Sequence, residues 1–142
     1  MKILIVEDDK AAVEAIKDAM SYTEDMQVVG TTDSATQGLK LVEAVKPHAI
    51  ILDLELNEGD GLNFLRNLST LMLDYKPFVL VTTNTTSKTV HDIVRNNGGD
   101  FIYTKNTLNY NPMPWSVSCN QWAIIWKLRL PKKICVGSHA PN

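Results

Sequence analysis

The feature that most constrains this chain is a run of four apolar residues ending in a carboxylate. Ala49-Ile50-Ile51-Leu52 lead into Asp53, and after Leu54-Glu55 the chain turns polar and glycine-containing through Asn57-Glu58-Gly59-Asp60-Gly61. Two β-branched residues and no polar alternation read as a strand buried on both faces. In an open parallel sheet, ligands bind beyond the carboxyl ends of the strands, which is where Asp53 stands. Seen alone, such an Asp need only end a strand or cap a turn. Its meaning depends on what the other strand ends carry.

Similar strand-to-helix alternation runs through the first hundred residues. Lys2 to Val6 is a short apolar strand ending in Glu7-Asp8-Asp9. Ala11, Ala12, Ala15, Ile16, Ala19 and Met20 then recur at helical spacing, predicting an amphipathic helix over roughly 10–22 whose alanines permit close approach to a sheet. Gln27 to Thr31 is a second strand. Asp33 or Ser34 can cap a helix with Ala35, Leu39, Val42 and Val45 inward, which Pro47 stops. After the Asp53 strand, Leu62, Leu65, Leu68 and Met72 mark a third helix starting near Asp60 or Gly61. Pro77 to Val81 is the fourth strand, followed by Thr82 and Thr83. A helix with Val90, Ile93 and Val94 inward ends at Gly98-Gly99, and Phe101 to Thr104 is the fifth strand, ending in Lys105. This alternation implies an α/β protein: a doubly wound parallel sheet with right-handed crossovers and helices on both faces.

Beyond Lys105 the pattern weakens. Asn109, Asn111, Pro112 and Pro114 interrupt the place of a fifth helix, although Ser116 or Ser118 can start an apolar helix reaching Leu130. The charge changes sign as well. Residues 1–100 hold all 16 acids and 9 of the 14 Lys and Arg, a net −7, whereas residues 101–142 hold five bases and no acid. All three tryptophans and both cysteines, Cys119 and Cys135, also follow residue 112. Two kinds of sequence are joined here, a domain over 1–112 and an atypical basic tail over 113–142: a displaced last helix, a linker remnant or a non-native segment.

No apolar run approaches the ~20 residues of a membrane span, and the N-terminus meets acids too early for a secretory signal. A cytoplasmic protein is expected. Two cysteines make neither a disulfide framework nor a zinc cluster. Among the histidines, His48 starts the central strand, His91 lies on the fourth helix and His139 in the tail, none with a ligand partner at a useful spacing. Lys127, Arg129, Lys132 and Lys133 beside tryptophans are too few to support nucleic-acid binding.

Together the strand ends present Glu7-Asp8-Asp9, Asp53, Thr82 and Lys105. Doubly wound topology would gather them at one edge. Several carboxylates in a small space repel, and a hard divalent cation with oxygen ligands resolves that. Mg²⁺ suits the site because it takes one or two carboxylates plus waters and phosphate oxygens. A lysine and a hydroxyl beside it make sense for a phosphoryl substrate whose equatorial oxygens they share with the metal. Asp53 is then the nucleophile that becomes an acyl phosphate.

These residues carry a resemblance. Residues 1 to about 110 resemble the receiver domain of bacterial two-component response regulators, a flavodoxin-like (βα)5 fold with strand order 2-1-3-4-5. Ile-Leu-Ile-Val-Glu7-Asp8-Asp9 resembles its first-strand acidic motif. Ile-Ile-Leu-Asp53-Leu-Glu-Leu, with Gly61 closing the loop, resembles its phosphoacceptor motif; Val-Leu-Val-Thr82-Thr83 and Tyr-Thr-Lys105 resemble its switch threonine and lysine. The resemblance implies that Asp53 accepts phosphate from a sensor histidine kinase or histidine phosphotransferase. It further implies that Asp8 ligates Mg²⁺ directly, Glu7 assists through water and Glu55 offers its backbone carbonyl. Homodimerisation and an effector domain outside this chain are compatible with it. The chain would turn over no metabolite beyond its own phosphorylation and dephosphorylation.

Three positions depart from the family. Asn57 stands where Pro is usual, Asn106 replaces the Pro that follows the lysine, and Ile102 occupies the aromatic switch position. Phe101 and Tyr103 flank Ile102 but should face the other side of the sheet. Two further functions compete. A phosphatase of the haloacid-dehalogenase type also uses a strand-end Asp and Mg²⁺, but expects Asp-x-Asp where this chain has Asp53-Leu54-Glu55. A degenerate receiver that only binds partners conflicts with the presence of the acids, Thr82 and Lys105.

Overall fold

Five apolar runs do pair as one sheet. The computed structural model describes residues 1–21, 26–56 and 60–104. In chain order these form β1 (Lys2–Val6), α1 (Lys10–Met20), β2 (Gln27–Thr32), α2 (Ala35–Val45), β3 (Ala49–Asp53), α3 (Gly61–Thr70), β4 (Phe78–Thr83), α4 (Lys88–Asn96) and β5 (Phe101–Thr104). The strand order is β2-β1-β3-β4-β5, and every pairing is parallel. All five residues of β3 are buried, because a central strand of a doubly covered sheet has no solvent face.

Side-chain alternation divides the core in two. Leu4, Val6, Ile50, Leu52, Val79 and Val81 point to the face covered by α2, α3 and α4. Ile3, Ile5, Ala49, Ile51, Phe78 and Leu80 point to the α1 face. Each fully buried Leu, Ile or Phe stabilises the fold by roughly 1.5–3 kcal/mol relative to exposure. Short polar residues start the helices: Asp9 accepts the Ala11 N–H at 2.9 Å, Ser34 that of Gln37 at 3.2 Å, and Asp60 that of Leu62 at 2.9 Å. Each such cap is worth about 1 kcal/mol. Lys46 ends α2 in the left-handed region at φ 49°, and Pro47 prevents any continuation.

Several expected details differ. Met72 lies beyond α3 and is completely exposed, because the helix stops at Thr70. The Ser69 and Thr70 hydroxyls donate to the carbonyls of Arg66 and Asn67, satisfying groups that a further turn would have used. Phe64, fully buried, fills the α3 core face with Leu65 and Leu68. On α1, Ala11 and Ala15 are exposed, and Val13, Ile16 and Met20 turn inward. The larger side chains remove more apolar area from water than the methyls. Lys105, Asn57, Asn106 and the whole segment 113–142, with its expected helix, lie outside the described residues.

The amino-terminal edge of the sheet is held by many bonds. Lys2 donates its backbone N–H to His48 Nδ1 at 2.9 Å and its ammonium to the Val45 carbonyl at 2.7 Å. Tyr75 donates its hydroxyl to the Pro47 carbonyl at 2.8 Å, and Lys76 pairs with Asp100 at 3.0 Å. At the opposite edge Gly61 touches the central strand: a Cβ there would stand 2.6 Å from the Asp53 carbonyl oxygen and 2.7 Å from Leu54 Cα.

Two outcomes follow from these contacts. Gly61→Ala must displace the Asp53–Leu54 backbone, which cannot swing aside as a side chain would. A loss of about 1–3 kcal/mol is expected, read as a lower urea midpoint; an unchanged midpoint would show that the loop gives way freely. His48 must keep Nδ1 unprotonated to accept the Lys2 N–H. Burial, the N-terminal ammonium and Lys2 push its pKa below the ordinary 6.5. The unfolded chain therefore takes up this proton first, so the contribution is complete above that ordinary value and declines as pH falls through the lowered one. The thermal midpoint of the native chain should fall more steeply on acidification below 6.5 than that of His48→Gln; parallel curves would remove His48 as the cause.

Candidate functional site

Parallel pairing brings the carboxyl ends of β1, β3 and β4 to one edge. Glu7 follows β1 directly and stays in the sheet by donating its N–H to the Thr32 carbonyl at 2.9 Å. Asp53 is the last residue of β3 and lies opposite Thr82 of β4, which in turn lies opposite Tyr103 of β5. Leu54 N–H to the Thr82 carbonyl, at 2.9 Å, carries the β3–β4 pairing one step past Asp53. The register, set by apolar residues deep in the sheet, thereby fixes which polar groups meet.

Glu7, Asp8 and Asp53 form a cluster in which one carboxylate oxygen from each lies within 4.8 Å of the others. Asp53 and Glu7 are buried and Asp8 is half-buried. Glu7 is anchored by accepting the Asp8 and Asp9 N–H groups at 3.0 and 3.2 Å. Asp53 accepts the Glu55 N–H at 3.0 Å, which orients its carboxylate. Asp9, third in the acidic run, turns away to cap α1. An all-oxygen set of three convergent carboxylates is the donor chemistry of a hard divalent cation such as Mg²⁺, so the residues fit the expected ion.

Thr82 completes the picture on β4. Its hydroxyl is buried and finds no hydrogen-bond partner among the described residues, at a level of the sheet shared with Asp53. A buried unpaired hydroxyl is costly, and such a group in a native fold calls for a role. Ile102 packs with the cluster under α2–α4, and Tyr103 with the cluster on the α1 face, the alternation expected of β5. Phe101 remains partly exposed.

The resemblance points to the Glu55 backbone carbonyl and says nothing of its side chain. One oxygen accepts the Asn84 N–H at 2.7 Å and the other accepts the Thr83 hydroxyl. The signal lay in the register: if 53 lies opposite 82, then residue 55 lies level with 84 in a parallel pair.

Comparison with known proteins agrees with this architecture. The response regulator receiver domain family matches residues 3–108. The probable C4-dicarboxylate response regulator DctR of Bacillus subtilis is 26% identical over 101 residues, covering 71% of this chain and 44% of that protein. A protein-glutamate methylesterase/protein-glutamine glutaminase 2 of Vibrio vulnificus is 28% identical over 85 residues, covering 60% of this chain and 24% of that protein. The chain thus spans less than half the length of these curated relatives. The crystal structure of the response regulatory domain of mrkE from Klebsiella pneumoniae shares the fold, with a TM-score of 0.71, 23% identity, and coverage of 90% of this chain and 97% of that one. No helix among the described residues is long and apolar enough to cross a membrane. With the family match running from the first strand to just past the fifth, this chain belongs to the response regulator receiver domains.

Proposed function

We propose that Asp53 is the phosphoacceptor of this receiver domain, taking a phosphoryl group from a histidine kinase or histidine phosphotransferase in a Mg²⁺-dependent reaction. The observation that carries the reading is the convergence of Glu7, Asp8 and Asp53 within 4.8 Å, beside a Thr82 hydroxyl with no hydrogen-bond partner among the described residues. An Asp53 oxygen attacks phosphorus, the bond from phosphorus to the donor histidine nitrogen breaks, and the leaving imidazole takes up a proton. The Glu55 N–H holds the carboxylate in position for this attack. Thr82 has a donor ready for a phosphoryl oxygen, and Lys105, next after β5, supplies a cation for another. Asp8 and Asp53, with the Glu55 backbone carbonyl and, through water, Glu7, would hold Mg²⁺. When bound, the ion neutralises the carboxylates and the phosphoryl oxygens.

The domain over 1–112 is the switch unit, and 113–142 is a tail of different character. The family match ending at 108 and the reversal of charge beyond residue 100 support that division. Among the described residues the α1 face of the sheet carries one helix and the other face three. Deleting 113–142, with its apolar Trp-rich stretch, should therefore lower solubility or the unfolding midpoint. A monomeric truncated chain of unchanged stability would show the tail to be a passenger.

Acetyl phosphate, with Mg²⁺ and no kinase, should add one acid-labile phosphoryl group to the intact protein, read by mass. Asp53→Asn is nearly isosteric and should abolish the label while keeping the fold. Asp8→Asn should weaken Mg²⁺ binding, measured by calorimetry, by tenfold or more relative to Asp9→Asn. Undiminished labelling of Asp53→Asn, or labelling that survives removal of all divalent metal, would overturn the proposal.

A further inference from the structure

The amino-terminal edge of the sheet, opposite the carboxylate cluster, carries a groove of about 300 Å³ between the ends of α3 and α4. Its apolar walls are Leu65, Leu68, Leu71, Leu73 and Pro77. The polar side chains that also line it already donate within the fold. Ser69 donates to the Arg66 carbonyl at 2.6 Å, and Tyr75 to the Pro47 carbonyl at 2.8 Å. Asn97 donates to the Ile93 carbonyl at 2.8 Å. The Lys76 ammonium donates to Asp100 at 3.0 Å and to the Pro77 and Gly98 carbonyls at 3.4 Å. An occupant would therefore meet apolar surface and little directional bonding, which suits an adaptable apolar group better than a polar ligand.

Such a group stands at the groove's side. Between α3 and β4 exposure alternates along the chain: Leu71, Leu73 and Tyr75 are half-buried, whereas Met72, Asp74 and Lys76 are exposed. Leu71 and Leu73 pack onto the core, and Met72 between them is completely exposed. A methionine alone on a surface needs no explanation, but this one adjoins a groove that its own chain holds it out of. A knob and a hollow on one patch are self-complementary across a two-fold axis. The outward row is self-complementary in charge as well, since it carries one acid and one base. Asp74 of each copy can face Lys76 of the other, whose side chain is 54% exposed despite its bond to Asp100. An apolar centre inside a charged rim is how interfaces between folded proteins are built.

We propose that a second copy of this chain docks on this edge, with Met72 of each copy seated in the groove of the other. The inference does not rest on the role of Asp53. Both carboxyl edges would point away from the contact, so pairing leaves each carboxylate cluster open to a phosphodonor.

The test uses the full chain under reducing agent, which keeps Cys119 and Cys135 from linking copies. Sedimentation over about 10 μM to 1 mM should show the average mass rising from the 15.9 kDa of one chain toward twice that value. Met72→Asp should raise the dissociation constant by about tenfold or more, with the unfolding midpoint unchanged because the side chain is completely exposed in the single chain. Ser69→Trp, which fills the groove from its exposed rim, should weaken association likewise, and it carries the test if Met72→Asp alters the fold. Asp74→Lys, which sets base against base, should weaken it too. In a mixture of copies labelled at methionine methyls and copies labelled at leucine methyls, cross-relaxation should connect Met72 to the groove leucines. A native chain that stays monomeric throughout overturns the proposal, as does a dimer whose dissociation constant Met72→Asp and Ser69→Trp leave unchanged. Contacts from the tryptophan rings of residues 113–142 to the groove leucines that persist at the lowest concentration would assign the groove to the tail, and would overturn it as well.

Discussion

The register of β3 against its two neighbours governs everything at the carboxyl edge. Ile50 lies opposite Leu4 on one side and Val79 on the other, and Leu52 opposite Val6 and Val81. Slipping either pairing by one residue would turn a buried apolar set toward the wrong face. That penalty, paid in side chains far from the chemistry, fixes Asp53 opposite Thr82 and brings Glu7 and Asp8 beside it. The site owes its geometry to residues that have no chemistry of their own.

Gathering three carboxylates there works against stability. Like charges at this spacing raise one another's energy, and burial of Glu7 and Asp53 adds desolvation. Main-chain donors offset part of it: two N–H groups on Glu7 and one on Asp53. The remainder is what a cation held by this cluster would relieve. The unpaired Thr82 hydroxyl is a second poised element, since any acceptor introduced on Asp53 meets a donor that has no competing bond to give up among the described residues.

Much of the fold is legible in the sequence. The α/β class and the strand order follow from apolar periodicity and the receiver resemblance; of the two cap candidates Asp33 and Ser34 the structure uses Ser34, and α3 starts at Gly61, one of the two expected starts, with Asp60 as its cap. The role of a phosphorylation-dependent switch in two-component signalling follows from the resemblance too, and agrees with the family match. Met72 continues the α3 stripe by spacing, but the chain leaves the helix after Thr70, with Leu71 already extended. Phe64 falls between the leucines of the apolar stripe, so spacing alone does not single it out. The side-chain role of Glu55 is not legible in the sequence, since its partners Thr83 and Asn84 become neighbours through strand pairing rather than through sequence proximity. Lys105 and the tail remain sequence expectations.

The two edges of the sheet are built differently. At the amino-terminal edge, Lys2, Val45, Pro47, His48, Tyr75, Lys76 and Asp100 are tied by direct bonds between elements distant in sequence. At the carboxyl edge, donors instead converge on the carboxylates of Glu7, Asp53 and Glu55. Mutational load should therefore separate by edge. Changes at the stapled edge alter how many copies of the folded chain persist in a cell, and those at the other alter what each surviving copy reports. Variation between strains could then tune dosage and message independently, although both are written on the same five strands.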